Sequence, residues 1–331
     1  MISILLPVYN AAPFLAECLD SILSQTEIEW ELLAADDFSE DESLSILQSY
    51  AKKDARIQVF SNTEKGVIPA LRRAFRYSSG QLITRMDADD RMSPDKLERL
   101  RSSLENRGPG HLSTGLVEYF SAGTLGDGYR RYAAWLNDLA LNDRHYEEIY
   151  RECVIPSPCW MVYRSDLLRC GAFDPDRYPE DYDLCFRFYR SELTPASVPQ
   201  VLHYWRDHGA RASRNDPHYA DNRFFELKID YFLEMERSPD RPLVLWGAGA
   251  KGKLLARLLL ERQESFHWVC DNPRKWGKHI YGVEMRSWAE IPSLDNPQLI
   301  LAVSSPEGRQ AIERQLEKWR WKPKMHYFWF C

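Results

Sequence analysis

Short apolar runs alternate with helix-patterned stretches through the first hundred residues, and this alternation restricts the fold more tightly than any other feature of the chain. Residues 2–6 form an apolar run that stops at Pro7, as a strand buried on both faces would. Residues 16–25 follow as a helix with Leu19, Ile22 and Leu23 on one face, residues 30–35 as a second strand, and residues 43–52 as a second helix. Residues 57–60, 68–77 and 81–86 continue as strand, helix and strand. Ser93-Pro94-Asp95 then predicts another helix, with Ser93 as N-cap and Pro94 in its first turn. Repeated βα units of this kind predict a doubly wound parallel sheet.

The pattern loosens between Asn106 and Pro156, where residues 129–138 and 146–151 look helical and 108–110 and 121–128 look like loops. Residues 156–164 read as a strand and 182–191 as a helix. Arg237-Ser-Pro-Asp-Arg-Pro242 has linker composition, and a new βα series follows it. The expected organisation is therefore a first domain over 1–236, a linker over 237–242 and a small α/β domain over 243–331.

Composition narrows the function classes. A formal net charge of −6 is the wrong footprint for a nucleic-acid binder. The seven cysteines are scattered, odd in number and never spaced as CxxC, which points to reduced thiols in a cytoplasmic protein, not to disulfides or zinc. Met1-Ile-Ser-Ile-Leu-Leu-Pro7 lacks a basic leader region, and no apolar run reaches the roughly 18 residues a membrane span needs. The expectation is a soluble chain, with peripheral docking at the inner face of a membrane left open.

Acidic residues gather where two successive strands are expected to end. One strand runs into Asp36-Asp37, the other into Asp87-Ala88-Asp89-Asp90. Ligands of open α/β sheets bind beyond the carboxyl ends of strands. In extended chain, residues two apart point the same way, so Asp87 and Asp89 can present two carboxylates to one side. Such hard oxygen ligands suit Mg²⁺ or Mn²⁺ bridged to a diphosphate. Asp90 could equally cap the following helix. A third cluster, Glu180-Asp181-Tyr182-Asp183, opens an amphipathic stretch, where the helix dipole alone would favour it.

Taken in order, Ile4-Leu-Leu-Pro-Val-Tyr-Asn10, Asp36-Asp37 with Ser39 and Asp41, Met86-Asp-Ala-Asp-Asp90 and Glu180-Asp-Tyr-Asp-Leu184 resemble the family 2 inverting glycosyltransferases of GT-A fold. The resemblance covers residues 1 to about 215. It implies a nucleotide-sugar donor contacted by Pro7, Val8, Tyr9, Asp37, Gly66, Asp87 and Ala88, with Asp37 on the base or ribose. It implies a metal at the Asp87–Asp89 motif, Asp89 being the direct ligand, and Asp181 as general base toward the acceptor hydroxyl. His208, in His203-Tyr-Trp-Arg-Asp-His208, resembles a late histidine that completes the metal shell; a hydrogen-bonding surface histidine is the other reading. Where many relatives carry Asn in the segment after Gly66, this chain has Arg72-Arg73, which could touch diphosphate or face water; Arg206 and Arg211 are candidate phosphate contacts. Trp160 could line the acceptor site or sit in the core. The acceptor could be a glycan, a lipid-linked sugar or a protein hydroxyl.

In the C-terminal part, Gly247-Ala-Gly249-Ala-Lys-Gly252 follows an expected strand and opens an expected helix, with Asp271 at the end of the next strand. That is the context of a dinucleotide-binding fingerprint and marks a possible second nucleotide site. The region resembles Rossmann-like modules appended to some family 2 transferases, which suits an accessory or assembly module, for instance one that builds a homo-oligomer. The competing expectation is an NAD-linked sugar oxidoreductase using this fingerprint. It lacks an evident catalytic constellation such as Tyr-xxx-Lys.

Overall fold

The computed structural model describes residues 1–121, 123, 125–209 and 223–331. The chain divides into two compact units, one made of 1–145 and 154–216 and the other of 146–153 and 217–331. In the first, β1 (Ile2–Val8), α1 (Ala12–Leu23), β2 (Trp30–Asp36), α2 (Ser43–Ala51), β3 (Ile57–Ser61), α3 (Val67–Tyr77) and β4 (Leu82–Arg85) follow the expected alternation. β1 lies between β2 and β4, parallel to both, with Val8 level with Asp36. Helices cover both faces of this part of the sheet, so β2 is buried at every position and needs no polar alternation.

Beyond β4 come β5 (Arg91–Met92), α4 (Lys96–Arg107), β6 (His111–Phe120), α5 (Asp127–Leu141), β7 (Trp160–Tyr163), α6 (Arg164–Arg169), α7 (Glu180–Arg190) and β8 (Thr194–Arg206). They complete an eight-stranded sheet in the order β3-β2-β1-β4-β7-β6-β8-β5. The parallel expectation holds for the first four strands and for the pair β6–β8, but not for the whole sheet. β7 runs antiparallel to β4 and β6, and β5 antiparallel to β8. The long strands β6 and β8 escaped the sequence reading because polar residues and prolines disguise them. Thr114 is fully buried in β6 because its hydroxyl donates to the Cys159 carbonyl (2.6 Å). β8 tolerates Pro195 and Pro199 because the only strand on its far side is the two-residue β5, paired farther along at Tyr204 and His203. The N-cap also differs from expectation: α4 opens at Lys96 after Asp95, and Ser93 instead donates to the Asp95 carboxylate (2.9 Å).

The second unit contains α8 (Arg223–Met235), β9 (Leu243–Trp246), α9 (Ala250–Glu261), β10 (His267–Cys270), β11 (His279–Ile280), β12 (Val283–Ser287), β13 (Gln298–Leu301), α10 (Pro306–Trp319) and β14 (Tyr327–Trp329). Its sheet order is β11-β12-β10-β9-β13-β14, parallel throughout except at β11. The expected boundary at 236 shifts, because α8 groups with this unit. The physical reason is a shared aromatic core. Tyr150 stacks on Phe330 (5.3 Å between centroids) and meets Phe232 of α8 and Phe328 of β14 edge-on. Lys228, also on α8, donates to the carbonyls of Arg151 (2.8 Å) and Phe330 (3.3 Å), and burial pushes its ammonium down to about 8.

Candidate active site

The ends of β1 and β2 are joined by the Asp37 amide donating to the Val8 carbonyl (2.7 Å), so Pro7–Tyr9 and Asp37 share one sheet end. The Asp37 carboxylate is nearly buried and accepts from Asn62 Nδ2 (2.8 Å) and from the Gly66 amide (2.9 and 3.0 Å to its two oxygens). It thereby shapes the loop between β3 and α3. Gly66 takes φ +133°, where only glycine is at ease, and a Cβ there would stand 3.2 Å from the Tyr178 hydroxyl. Lys65 donates to the Asp37 carbonyl (2.6 Å) and lies 3.0 Å from the centre of the exposed Tyr9 ring. Asn62 and Lys65 were not anticipated; their position at the end of β3, next to Gly66, is the available signal. Ser39 and Asp41 turn out to hold the start of α1, Asp41 accepting the Ala12 amide (3.0 Å) and Ser39 the Asn10 amide (3.1 Å).

The motif after β4 splits its three carboxylates among different partners. Asp87 accepts from Arg85 Nε (2.9 Å). Asp89 Oδ2 lies 2.8 Å from Nε2 of His208, 119 residues later, and the His208 ring rests on Phe14 (4.4 Å). Arg206 donates through Nε to the Asp89 carbonyl (2.7 Å) and pairs with Glu17, so it props the motif. Asp90 is buried between Nε2 of His203 (2.9 Å) and the Arg206 amide (2.8 Å). His203 in turn faces the fully buried Lys96 through Nδ1 (3.1 Å), and Lys96 donates to the Pro158 carbonyl (2.5 Å). A lysine ammonium can only donate, so Nδ1 of His203 accepts and Nε2 carries the proton offered to Asp90. Asp90 is thus a structural residue.

Asp181 sits in the first turn of α7, and one carboxylate oxygen accepts the neighbouring Tyr182 amide (2.8 Å). The residue is half-buried, and its acidity is strongly reduced. Burial and the adjacent Glu180 push its pKa up to about 7, against the opposing pull of Arg85. Asp183, by contrast, is buried and pairs with Arg187 (2.7 Å), which also donates to the Cys170 and Ala172 carbonyls (both 2.7 Å). Arg72 donates to the carbonyls of Phe173 and Asp174 (both 2.6 Å), so its guanidinium is engaged in holding that loop. Trp160 is core, edge-on to Phe188 at 5.6 Å. Arg211 lies outside the described residues.

A metal would find a half-site here. Asp89 and His208 converge, but among the described residues no group of three or more His, Cys, Asp or Glu side chains is arranged to hold an ion. One carboxylate and one imidazole fit a divalent cation whose remaining ligands come from diphosphate oxygens and water.

In the second unit two of the three fingerprint glycines have packing reasons. A Cβ on Gly247 (φ +132°) would stand 2.6 Å from the Ala302 carbonyl oxygen, and one on Gly252 2.2 Å from that of Gly247. Gly249 faces open space. Asp271 lies 3.4 Å from the Trp246 indole nitrogen that donates to it, and burial raises its pKa.

Residues 3–171 match the family described as Glycosyl transferase family 2, just over half of the chain. The chain belongs to that family. It is a glycosyltransferase. An uncharacterized glycosyltransferase of Haemophilus influenzae is 30% identical over 248 residues, covering 70% of this chain and 74% of that one. Among solved structures, S. aureus TarS 1–349 in complex with UDP-GlcNAc superimposes with TM-score 0.54 at 17% identity, over 78% of this chain and 71% of TarS. The mannosyltransferase PcManGT of Pyrobaculum calidifontis, solved with GDP-Man and Mn²⁺, gives 0.51 at 19% identity, over 78% and 69%. At such identity the likeness speaks for the fold, which is GT-A. The family match ends before Asp181 and His208. No helix among the described residues is long and apolar enough to cross a membrane.

Proposed function

We propose that this glycosyltransferase inverts the anomeric centre, moving a sugar from a nucleotide-sugar, a UDP-sugar in our reading, to a hydroxyl acceptor during glycan or glycoconjugate synthesis. The observation that carries the reading is Asp181: a half-buried carboxylate whose pKa, about 7, lies near working pH. Such a group suits a general base. Its carboxylate takes the acceptor O–H proton while the oxygen attacks the anomeric carbon and the nucleoside diphosphate departs from the opposite face. One displacement needs no second carboxylate flanking the bond, unlike a retaining glycosidase.

On the donor side, the flat Tyr9 ring with Lys65 beside it suits a nucleobase, and the Asp37-shaped loop at Gly66 suits its ribose. Asp89 and His208 would hold Mn²⁺ or Mg²⁺, with the Asp87–Ala88 turn beside them. Such an ion would neutralise charge on the leaving diphosphate. The NAD-linked alternative is not favoured, since packing accounts for Gly247 and Gly252 and Trp246 engages Asp271. We read the second unit as a Rossmann-like accessory module.

Asp181→Asn keeps size but cannot accept the proton. Transfer should fall by roughly 10²–10⁴-fold, with the affinity for donor unchanged in calorimetry. Retention of most transfer would put the base elsewhere.

A further inference from the structure

The donor-side and acceptor-side carboxylates are linked by a single buried side chain. Arg85 ends β4, and its guanidinium donates through Nε to Asp87 (2.9 Å) and through Nη1 to Glu180 (3.1 Å), 95 residues away. We propose that Arg85 is a positioning residue for the transfer step: it clamps the start of α7 to the donor-side motif and shields Asp181 from the carboxylates around it. The effect of Arg85 on transfer rests on Asp181 being the base.

The geometry calls for arginine. Two carboxylates lie along two different N–H directions of one planar fork, which a lysine ammonium on its single stem does not reproduce. The charge matters as well. Among the groups that act on Asp181, Glu180 and Asp87 oppose its ionisation, and Arg85 and the Tyr182 amide favour it. Asp183, farther along the same helix, is already neutralised by Arg187. Arg85 is thus a cation whose pull on Asp181 opposes those carboxylates. Without it, two negative neighbours and burial push the same way, opposed by the Tyr182 amide. A base that stays protonated at working pH cannot take the acceptor proton.

The test uses full-length protein and needs no substrate. A carboxyl whose folded pKa is raised gives stability that is intact below its unfolded value and lost as pH climbs toward the folded one. Asp181→Asn, which cannot ionise, should therefore gain melting temperature over its parent as pH rises, levelling off at the folded pKa of Asp181. In the wild-type background that plateau is expected near pH 7. In an Arg85→Gln background it should move up by about one to three pH units, the usual effect of an adjacent guanidinium. In Arg85→Lys, which keeps the charge, it should stay close to wild type. A merely structural arginine would lower every melting temperature without moving the plateau. An unmoved plateau in Arg85→Gln, or equal movement in both variants, overturns the proposal. Should Arg85→Gln fail to fold, Glu180→Gln asks the question with the opposite sign: the plateau must fall, and one that stays in place also overturns it. The base reading stands or falls separately, on the transfer activity of Asp181→Asn.

Discussion

Asp89 and His208 meet at 2.8 Å although 119 residues separate them, and neither side chain is fully buried. If they hold the cation, Asp89→Ala should abolish the Mn²⁺-dependent part of nucleotide-sugar binding, and His208→Ala should weaken it. Calorimetry with and without Mn²⁺ reads both, and unchanged donor affinity in Asp89→Ala with Mn²⁺ present would contradict the assignment. Asp183→Asn makes a poor control for Asp181→Asn, because it leaves buried Arg187 without its carboxylate; the exposed Asp176 is a better one. The placement of these candidate carboxylates was legible in the sequence because each follows a strand or starts a helix, a position that short-range pattern reveals. Lys65, Asn62, Arg85 and Lys96 were not, since what they do depends on partners brought close only by the completed sheet. What Arg72 holds was not legible for the same reason: nothing local points to the Phe173 and Asp174 carbonyls.

At the level of elements, a buried chain of polar groups ties α4, β8 and the turn after β4 together: Lys96, His203 and Asp90. Removing the middle member takes from a buried carboxylate and a buried ammonium the group that joins them. His203→Ala should cost about 3–5 kcal/mol of folding stability in urea titrations, the range for breaking a buried pair. Replacing all three with apolar residues of similar volume should cost far less than that single change. If His203→Ala costs under about 1 kcal/mol, solvent reaches the group and the chain is not a unit. The parallel half of the sheet was legible because its central strands β1 and β2 are largely apolar runs. β6 and β8 were not, since their alternation is broken by buried Thr114, by Pro195 and Pro199, and by irregular register between Gly115 and Val117. Gly115 permits the close approach there, as a Cβ would stand 2.6 Å from Leu202.

For the whole molecule, the second unit is not simply the end of the chain. Its core includes 146–153, a segment that leaves the first unit and returns to it. A chain ended after residue 236 keeps Tyr150 and Phe232 but loses Phe328 and Phe330, which cover them. That truncation should bind a hydrophobic dye and aggregate on mild heating, and a soluble fragment melting like the full-length protein would refute the grouping. The change of composition at 237–242 is visible in the sequence but falls inside the second unit; the excursion at 146–153 is not visible, because its partners lie far along the chain. The same excursion sets a schedule for synthesis. Tyr150 leaves the ribosome about 180 residues before Phe330, so at roughly 5–20 residues per second its ring waits some ten to forty seconds for a partner. The second unit therefore cannot close before β14 has emerged, and a nascent chain stalled between Tyr150 and β14 carries a sticky surface that chaperones are built to hold.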